Sequence, residues 1–375
     1  MDNQIENLNQ HAFSRRDFLK VAGLTGVTLM GLAGCGNTAN VKKDAGSAAD
    51  SATKSSKSKT ITVTDMGGTK VEVPTNITKF ADGWFAHNEI SIMLTGDKGI
   101  VATACSKENY PWMYKVAPRL EDATVSFGQD FNFEDLVALE PQVIFDSKDA
   151  LRDKATEVDI PVVNCMFKTF DEMQKSIELT AKVFGGKAPK IAKKYNAELE
   201  KTISDIESKT KKLDDADKPA VLHGNSVYTL TIDGTGTIID DWIRVAGGRN
   251  AVTESTEGNA QAKFSMEQVL AWNPDVIITG NPTEVDQILN DPNWQSIPAV
   301  QNKQVYVNPK GVFGWDRYGV EELLQVQWAA KILHPNMFKK LNIEKAVKNF
   351  YRDYLDYKLS DDEVKLIMAA KNPEA

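Results

Sequence analysis

Eight residues have side chains suited to holding a small molecule without reacting with it: Trp84, His87, Asn88, Tyr110, Trp112, Tyr228, Trp315 and Arg317. They are selected because ligands of open α/β sheets lie beyond the carboxyl ends of strands, and each falls after a strand signal. The same rule reaches Phe85, Cys105, Asp130, Asp146, Ser147 and Met166 in the first half, and Asn225, Asn281 and Phe313 in the second. Trp84, Tyr110 and Trp112 offer flat apolar faces to a chelate or tetrapyrrole, or else pack a core. Arg317, directly after Trp315-Asp316, carries a guanidinium that can fork onto a carboxylate or oxyanion; an ion pair with Asp316 is the alternative. His87 is either a metal ligand or a hydrogen-bonded residue at a helix start, and His223, inside a strand-like run, reads as structural.

Catalytic chemistry is poorly provided for. The chain has no Gly-x-Ser-x-Gly elbow, no His-Glu-x-x-His and no phosphate loop ending in Gly-Lys-Ser/Thr. Gly234-Thr-Gly236 lacks the third glycine of a dinucleotide loop, and four histidines leave acid–base work to carboxylates. No His/Cys/Asp/Glu spacing marks a dedicated bare-metal site, so the identity of any metal stays open. The expectation is a binder without enzyme activity or a cofactor of its own. A net charge of −8 lacks the concentrated basic face that nucleic acid requires.

Alternating strand and helix signals would position these residues. Ile61 to Thr64 and Val71 to Pro74 read as a hairpin around Met66-Gly67-Gly68. Ile100 to Ala104, Val143 to Phe145, Val162-Val163, Val221-Leu222, Val276 to Ile278 and Gln304 to Val307 are short β-branched runs. Helical stretches lie between them: Glu89 to Leu94, Phe133 to Leu139, Ile238 to Ala246, Met266 to Trp272 and Glu321 to Leu333. This alternation predicts α/β layers with mostly parallel strands. An internal repeat adds that there are two of them. Phe131 to Ser147 lies over Phe264 to Gly280 at a constant offset of 133, with Phe, Glu, Ala, Pro, Val and Ile coinciding. Each copy is an amphipathic helix, a proline that stops it and a buried strand. Between the copies, Ile191, Tyr195, Leu199, Ile203 and Ile206 form one helical face, which predicts a long helix within 187–212.

The expected organisation is a signal over 1–34, a flexible tether over 35–59, a first α/β lobe over 60–186, the interlobe helix over 187–212, a second lobe over 213–335 and a helical extension over 336–375. The N-terminus carries paired arginines in Ser14-Arg15-Arg16-Asp17-Phe18-Leu19-Lys20, then a glycine-rich apolar stretch too short to span a membrane. Leu32-Ala33-Gly34-Cys35 resembles the lipobox of bacterial lipoproteins, which implies lipid on Cys35, and the paired arginines imply export by the twin-arginine route. Residues 36–59 are too polar to fold and would leash the body to the outer face of the cytoplasmic membrane. Cys105 and Cys165 read as buried free thiols, with a single disulfide as the alternative.

From about Thr60 to Phe338 the chain resembles the iron-siderophore, heme and cobalamin class of substrate-binding proteins of ABC importers. The resemblance rests on the two repeat segments, Ala86-His-Asn-Glu-Ile90 with Leu94-Thr-Gly96, Val245-Ala-Gly-Gly-Arg-Asn-Ala251 and the stretch Trp294 to Tyr306. Trp315-Asp-Arg317 before a helix resembles a branch of the class that takes metal chelates or oxyanions. The resemblance implies two lobes joined by one long helix, with the ligand between them. It implies a monomer that serves a permease dimer with its ATPase subunits. An iron–siderophore or heme is the first expectation for the ligand, then cobalamin or another corrinoid, then molybdate or tungstate. In cobalamin-binding members a glutamate on one helix of each lobe meets permease arginines, and Glu134 and Glu267 match that position. Each is also suited simply to stabilise its own helix N-terminus.

Overall fold

A computed structural model describes residues 59–128, 131–255 and 261–374. The signal, Cys35, nearly all of the tether and Asp130 lie outside them. The strands, in chain order, are β1 (Thr60–Thr64), β2 (Lys70–Pro74), β3 (Phe80–Asp82), β4 (Ile100–Thr103), β5 (Thr124–Val125), β6 (Ile144–Asp146), β7 (Val162–Asn164), β8 (Ala220–Gly224), β9 (Thr231–Asp233), β10 (Arg249–Asn250), β11 (Gln261–Lys263), β12 (Val276–Thr279) and β13 (Val305–Val307).

β1 and β2 form the expected hairpin, antiparallel with Ile61 opposite Val73. The first lobe is a parallel sheet in the order β5-β4-β3-β6-β7, and the second a parallel sheet in the order β10-β8-β12-β13. β9 and β11 form a small antiparallel pair beside the second sheet. The inner strands are buried and mainly apolar, as in β6, β8 and β12, which fits parallel strands covered on both faces. In β6, Phe145 enters one apolar cluster and Ile144 another; in β12, Ile278 and Ile277 divide in the same way.

The repeat corresponds to one structural unit in each lobe. Helices Phe133–Ala138 and Met266–Trp272 begin 133 residues apart and lead into β6 and β12. Asn132 caps the first helix by accepting from the Glu134 amide at 3.0 Å, and Ser265 caps the second with Gln268 in a capping box. Glu134 and Glu267 occupy the same position in these first turns and both are exposed.

Helix Ala188–Thr210 joins the lobes and is roughly 35 Å long at about 1.5 Å per residue. Tyr195, Leu199 and Ile206 of the predicted stripe are buried, and the Tyr195 hydroxyl donates to the Val320 carbonyl at 2.8 Å. One apolar cluster runs from Val63 and Phe80 in the first lobe, through Ala192 and Leu199 of this helix, to Trp242 and Val347 beyond it. The C-terminal helices Ile343–Tyr354 and Asp361–Met368 form a second bridge. Their tail accepts from Trp112 Nε1 of the first lobe at Lys371 O (2.9 Å), and from the Lys310 amide of the second at Ile367 O (3.1 Å). Among the described residues no helix is long and apolar enough to cross a membrane.

Candidate functional site

The carboxyl ends of the two sheets face a cleft floored and walled by loops. A hollow of about 330 Å³ is lined by Tyr110 from the first lobe and by Asn225, Gly280, Asn308, Lys310, Phe313, Asp316 and Arg317 from the second. A neighbouring hollow of about 390 Å³ is lined by Gly83, Trp84, Phe85, Phe127, Phe131, Asp146 and Ser147 at the end of the first sheet. Phe85, 44% exposed, stacks on Tyr110 at 5.9 Å and joins the two. A larger hollow, about 890 Å³, lies at the opposite end of β13 among the C-terminal helices, with no first-lobe residue in its wall. The strand-end rule and the convergence of both lobes favour the smaller pair as the site.

Aromatic rings close the cleft. Tyr110, fixed before the helix Pro111–Val116 by its amide bond to Ser106 O, stacks on Phe313 across the lobes at 5.7 Å. Tyr318, with a left-handed φ of 60°, puts its ring 5.7 Å from both Trp84 and Phe167. A tyrosine in that backbone region costs energy that surrounding contacts must offset, and such residues gather at functional sites.

Charge in the cleft centres on Arg317. Its Nε donates to Asp316 Oδ2 at 2.8 Å, and its Nη2 binds Asp316 Oδ2 and reaches Asp233 Oδ2 at 3.4 Å. Nη1 has no hydrogen bond among the described residues, so that edge of the fork remains for a ligand. Burial disfavours the Asp316 carboxylate, but Arg317 and His223 outweigh it and hold Asp316 well below the usual range. Lys310 is lowered by burial, with Asp316 opposing, and its ammonium lies 5.7 Å from the Tyr110 ring centre. His223, near the end of β8, sits behind the arginine with Nδ1 2.7 Å from Asp233 Oδ2 and Nε2 3.2 Å from Asp316 Oδ2. The second contact has the distance of a hydrogen bond but not its alignment, and Nε2 is otherwise unpartnered. We treat it as an electrostatic contact.

Several expected contacts are corrected by burial. His87 is fully buried, with Nδ1 2.7 Å from Asp82 Oδ2 and Nε2 2.9 Å from Thr180 Oγ1, so both ring nitrogens are spent. Burial opposes its charge, Asp82 outweighs that, and the pKa rises to about 10. Asn88 is also fully buried, donating to the carbonyls of Asp82 and Trp84 and accepting from Thr103. Trp112 is 1% exposed and is tied to Lys371 rather than to the cleft. Trp315 is wholly buried and donates to Glu321 Oε1 at 3.0 Å. Tyr228 turns toward Asp291, bonded at 3.0 Å, and Trp294, so it packs the outer side of the second lobe. Of the eight residues, the structure brings Trp84, Tyr110 and Arg317 to the cleft. Cys105 and Cys165 are both buried and unpaired.

Sequence reasoning passed over Lys310, Asp233, Tyr318 and the part played by His223. Lys310 had a readable signal, since Asn308-Pro309-Lys310 follows the β13 run directly and the strand-end rule applies to it. Asp233 and His223 had none, because their partners come from separate strands. Among the described residues no group of three or more His, Cys, Asp or Glu side chains could hold a metal ion.

Known proteins bear out the fold. The chain is 27% identical over 328 residues to the molybdate-binding protein MolA of Haemophilus influenzae, covering 78% of this chain and 90% of that one. It is 25% identical over 341 residues to YvrC of Bacillus subtilis, named an uncharacterized ABC transporter substrate-binding lipoprotein, covering 86% and 99%. A periplasmic solute binding protein from Veillonella parvula superposes with a TM-score of 0.71 at 29% identity, covering 83% of this chain and 97% of that one. Residues 88–311, over half of the sequence, match the periplasmic binding protein family itself, and the chain belongs to that family as a substrate-binding protein of ABC importers.

Proposed function

We propose that this chain captures a small tetrahedral oxyanion, of the molybdate or tungstate kind, in the interlobe hollow and passes it to an importer permease. One observation carries the reading: the free edge of Arg317 and the ammonium of Lys310 converge on a hollow of only about 330 Å³. A guanidinium fork matches oxyanion geometry, and a buried cation gains from a dianion what it lacks in solvent. The name of the Haemophilus influenzae relative points the same way. Isothermal titration with molybdate, tungstate and sulfate tests it: micromolar or tighter binding of the first two supports the reading, and no binding of either overturns it.

The expected iron–siderophore or heme complex, or a corrinoid, is the second reading. The rings of Trp84, Phe85, Tyr110, Phe313 and Tyr318 favour it, because flat chelates are held by such faces. Hemin, a ferric siderophore and cobalamin in the same titration series separate the two. In either case the ligand is cargo, not a resident cofactor, and the receptor works as a monomer.

Docking is assigned to Glu134 and Glu267, exposed at matching positions of the two lobes. Two separated carboxylates on one stiff body register a pair of basic permease surfaces, setting orientation and on-rate. Glu134→Ala with Glu267→Ala is expected to abolish most uptake while leaving ligand affinity unchanged; normal uptake removes the docking role. Twin-arginine export and lipid on Cys35 complete the proposal. Cys35→Ala should then release the protein from membranes, and retention would argue against the anchor.

A further inference from the structure

The back wall of the hollow contains a buried group that titrates. His223 is 1% exposed, and its two ring nitrogens lie 2.7 Å from Asp233 Oδ2 and 3.2 Å from Asp316 Oδ2. A neutral imidazole has one donor and one acceptor, so a carboxylate at each nitrogen favours the doubly protonated ring. Tyr318 and the buried Glu322 also face this cluster, and burial together with Asp316 raises the Glu322 carboxyl well above its ordinary range, which favours its neutral form. Arg317 touches both carboxylates, Gln261 Nε2 donates to Asp233 at 3.2 Å, and Asn308 Nδ2 donates to Asp316 at 3.3 Å. The edge of the Trp242 ring lies against the imidazole at 5.3 Å, and Lys310 stands across the hollow.

The charges of this wall have a simple consequence. With the ring protonated, His223 and Arg317 balance Asp233 and Asp316, and Lys310 leaves the hollow positive. With the ring neutral, the two carboxylates outweigh Arg317, and Lys310 only restores neutrality. Asp233 Oδ1 is buried without a partner, so after the proton is lost the donors left to Asp233 are Arg317 and Gln261, both at Oδ2.

We propose that His223 sets the sign of the charge in the ligand hollow, so that an anion is held tightly only while His223 holds its second proton. The proposal rests on the cargo being anionic, as the oxyanion reading has it. Burial opposes the proton on His223, the hydrogen bond to Asp233 and the charges of Asp233 and Asp316 outweigh burial, and the pKa is raised above its ordinary 6.5. Affinity is therefore level below about 6.5 and declines as pH rises through the raised value. One linked proton limits the decline to about tenfold per pH unit.

The test is a molybdate titration of the full mature protein across a pH series, with three variants. Wild type should show the level region and then the decline. His223→Asn should bind weakly and without that step, whereas Asp233→Asn should bind at least as tightly as wild type at alkaline pH, because a carboxylate has been removed. Lys310→Met separates the lysine's own alkaline titration and should keep the His223 step. If both His223→Asn and Asp233→Asn weaken binding and keep the wild-type slope, the two residues only hold the fold and the proposal falls. Should His223→Asn fail to fold, ¹⁵N NMR of the unliganded wild type decides: a ring protonated on one nitrogen at pH 6 overturns the proposal, and a doubly protonated ring that loses its second proton as pH rises sustains it. Molybdate that binds at no pH, beside a ferric tricatecholate that does, defeats the oxyanion reading. The same pH series with that trianion then judges His223 separately.

Discussion

Asp82 in the first lobe and His223 in the second occupy the same place in their sheets. Asp82 lies opposite Phe145 of β6, His223 lies opposite Ile278 of β12, and Phe145 and Ile278 are related by the repeat offset of 133. Each completes a histidine–aspartate contact of 2.7 Å, with the roles exchanged: strand aspartate to helix histidine in one lobe, strand histidine to aspartate in the other. What differs is the far side of each ring. His87 meets the hydroxyl of Thr180, with Ser91 also bonded to Asp82, and the network ends within the core. His223 meets Asp316, and through it Arg317 and the cleft. A buried ion pair is thus structural or functional according to what its second nitrogen touches.

Removing one member of each network should break this comparison most visibly. His87→Ala leaves Asp82 buried without its partner and is expected to cost about 3–5 kcal/mol of stability, read by denaturant unfolding. Ligand affinity of the folded fraction should not change; a large loss of affinity would make the first-lobe pair functional too. Arg317→Lys keeps a positive charge beside Asp316 but loses the fork, and should weaken oxyanion binding by about 10- to 100-fold with a small change in Tm. The glycines that follow the two equivalent residues sharpen the contrast further. A Cβ at Gly224 would lie 2.3 Å from the Thr231 carbonyl oxygen, and backbone moves less readily than a side chain, so Gly224→Ala should cost about 1–3 kcal/mol and displace β9 with Asp233. At Gly83 the nearest atoms are in the Phe127 ring, at 3.0 Å, which can turn, so Gly83→Ala should cost less in the same melt.

The comparison can also be tested through pH. Both histidines are raised, so each contributes stability that is fully present below about 6.5 and is lost as pH rises, through about 10 for His87. Glu321, raised by burial to about 7, loses its contribution between about 4.5 and 7 in the same direction. Unfolding free energy should therefore decline from mildly acidic to alkaline pH, less steeply in His87→Gln. A stability that increases over this range would contradict the protonation states assigned to both networks.

Much of the fold was legible because it depends on local pattern. The repeat, the proline stops and the stripe on the interlobe helix are periodic signals, and their elements lie within a residue or two of the expected bounds. β3 was harder to read: it has three residues and ends in Asp82, whose burial depends on a histidine five positions later. The site was legible only in part, for the same reason. The strand-end rule reached Trp84, Tyr110 and Arg317, but it could not tell a ring in the cleft from one facing the core. Trp112 and Trp315 look like ligand contacts in sequence, and acceptors at Lys371, far along the chain, and at Glu321, six residues on, decide otherwise. A histidine is a ligand or a strut according to partners set by tertiary packing.

The apolar cluster that passes through the interlobe helix has a further consequence. Neither lobe owns all of its own interior, since Phe80 and Trp242 belong to one continuous body of buried side chains, and the tail binds Trp112 to the far side. Such a chain should melt in a single calorimetric transition, with amide exchange in both lobes governed by the same global opening. For an extracytoplasmic receptor, proteases then find no half-unfolded lobe to attack, and its lifetime is set by the rate at which the whole body opens.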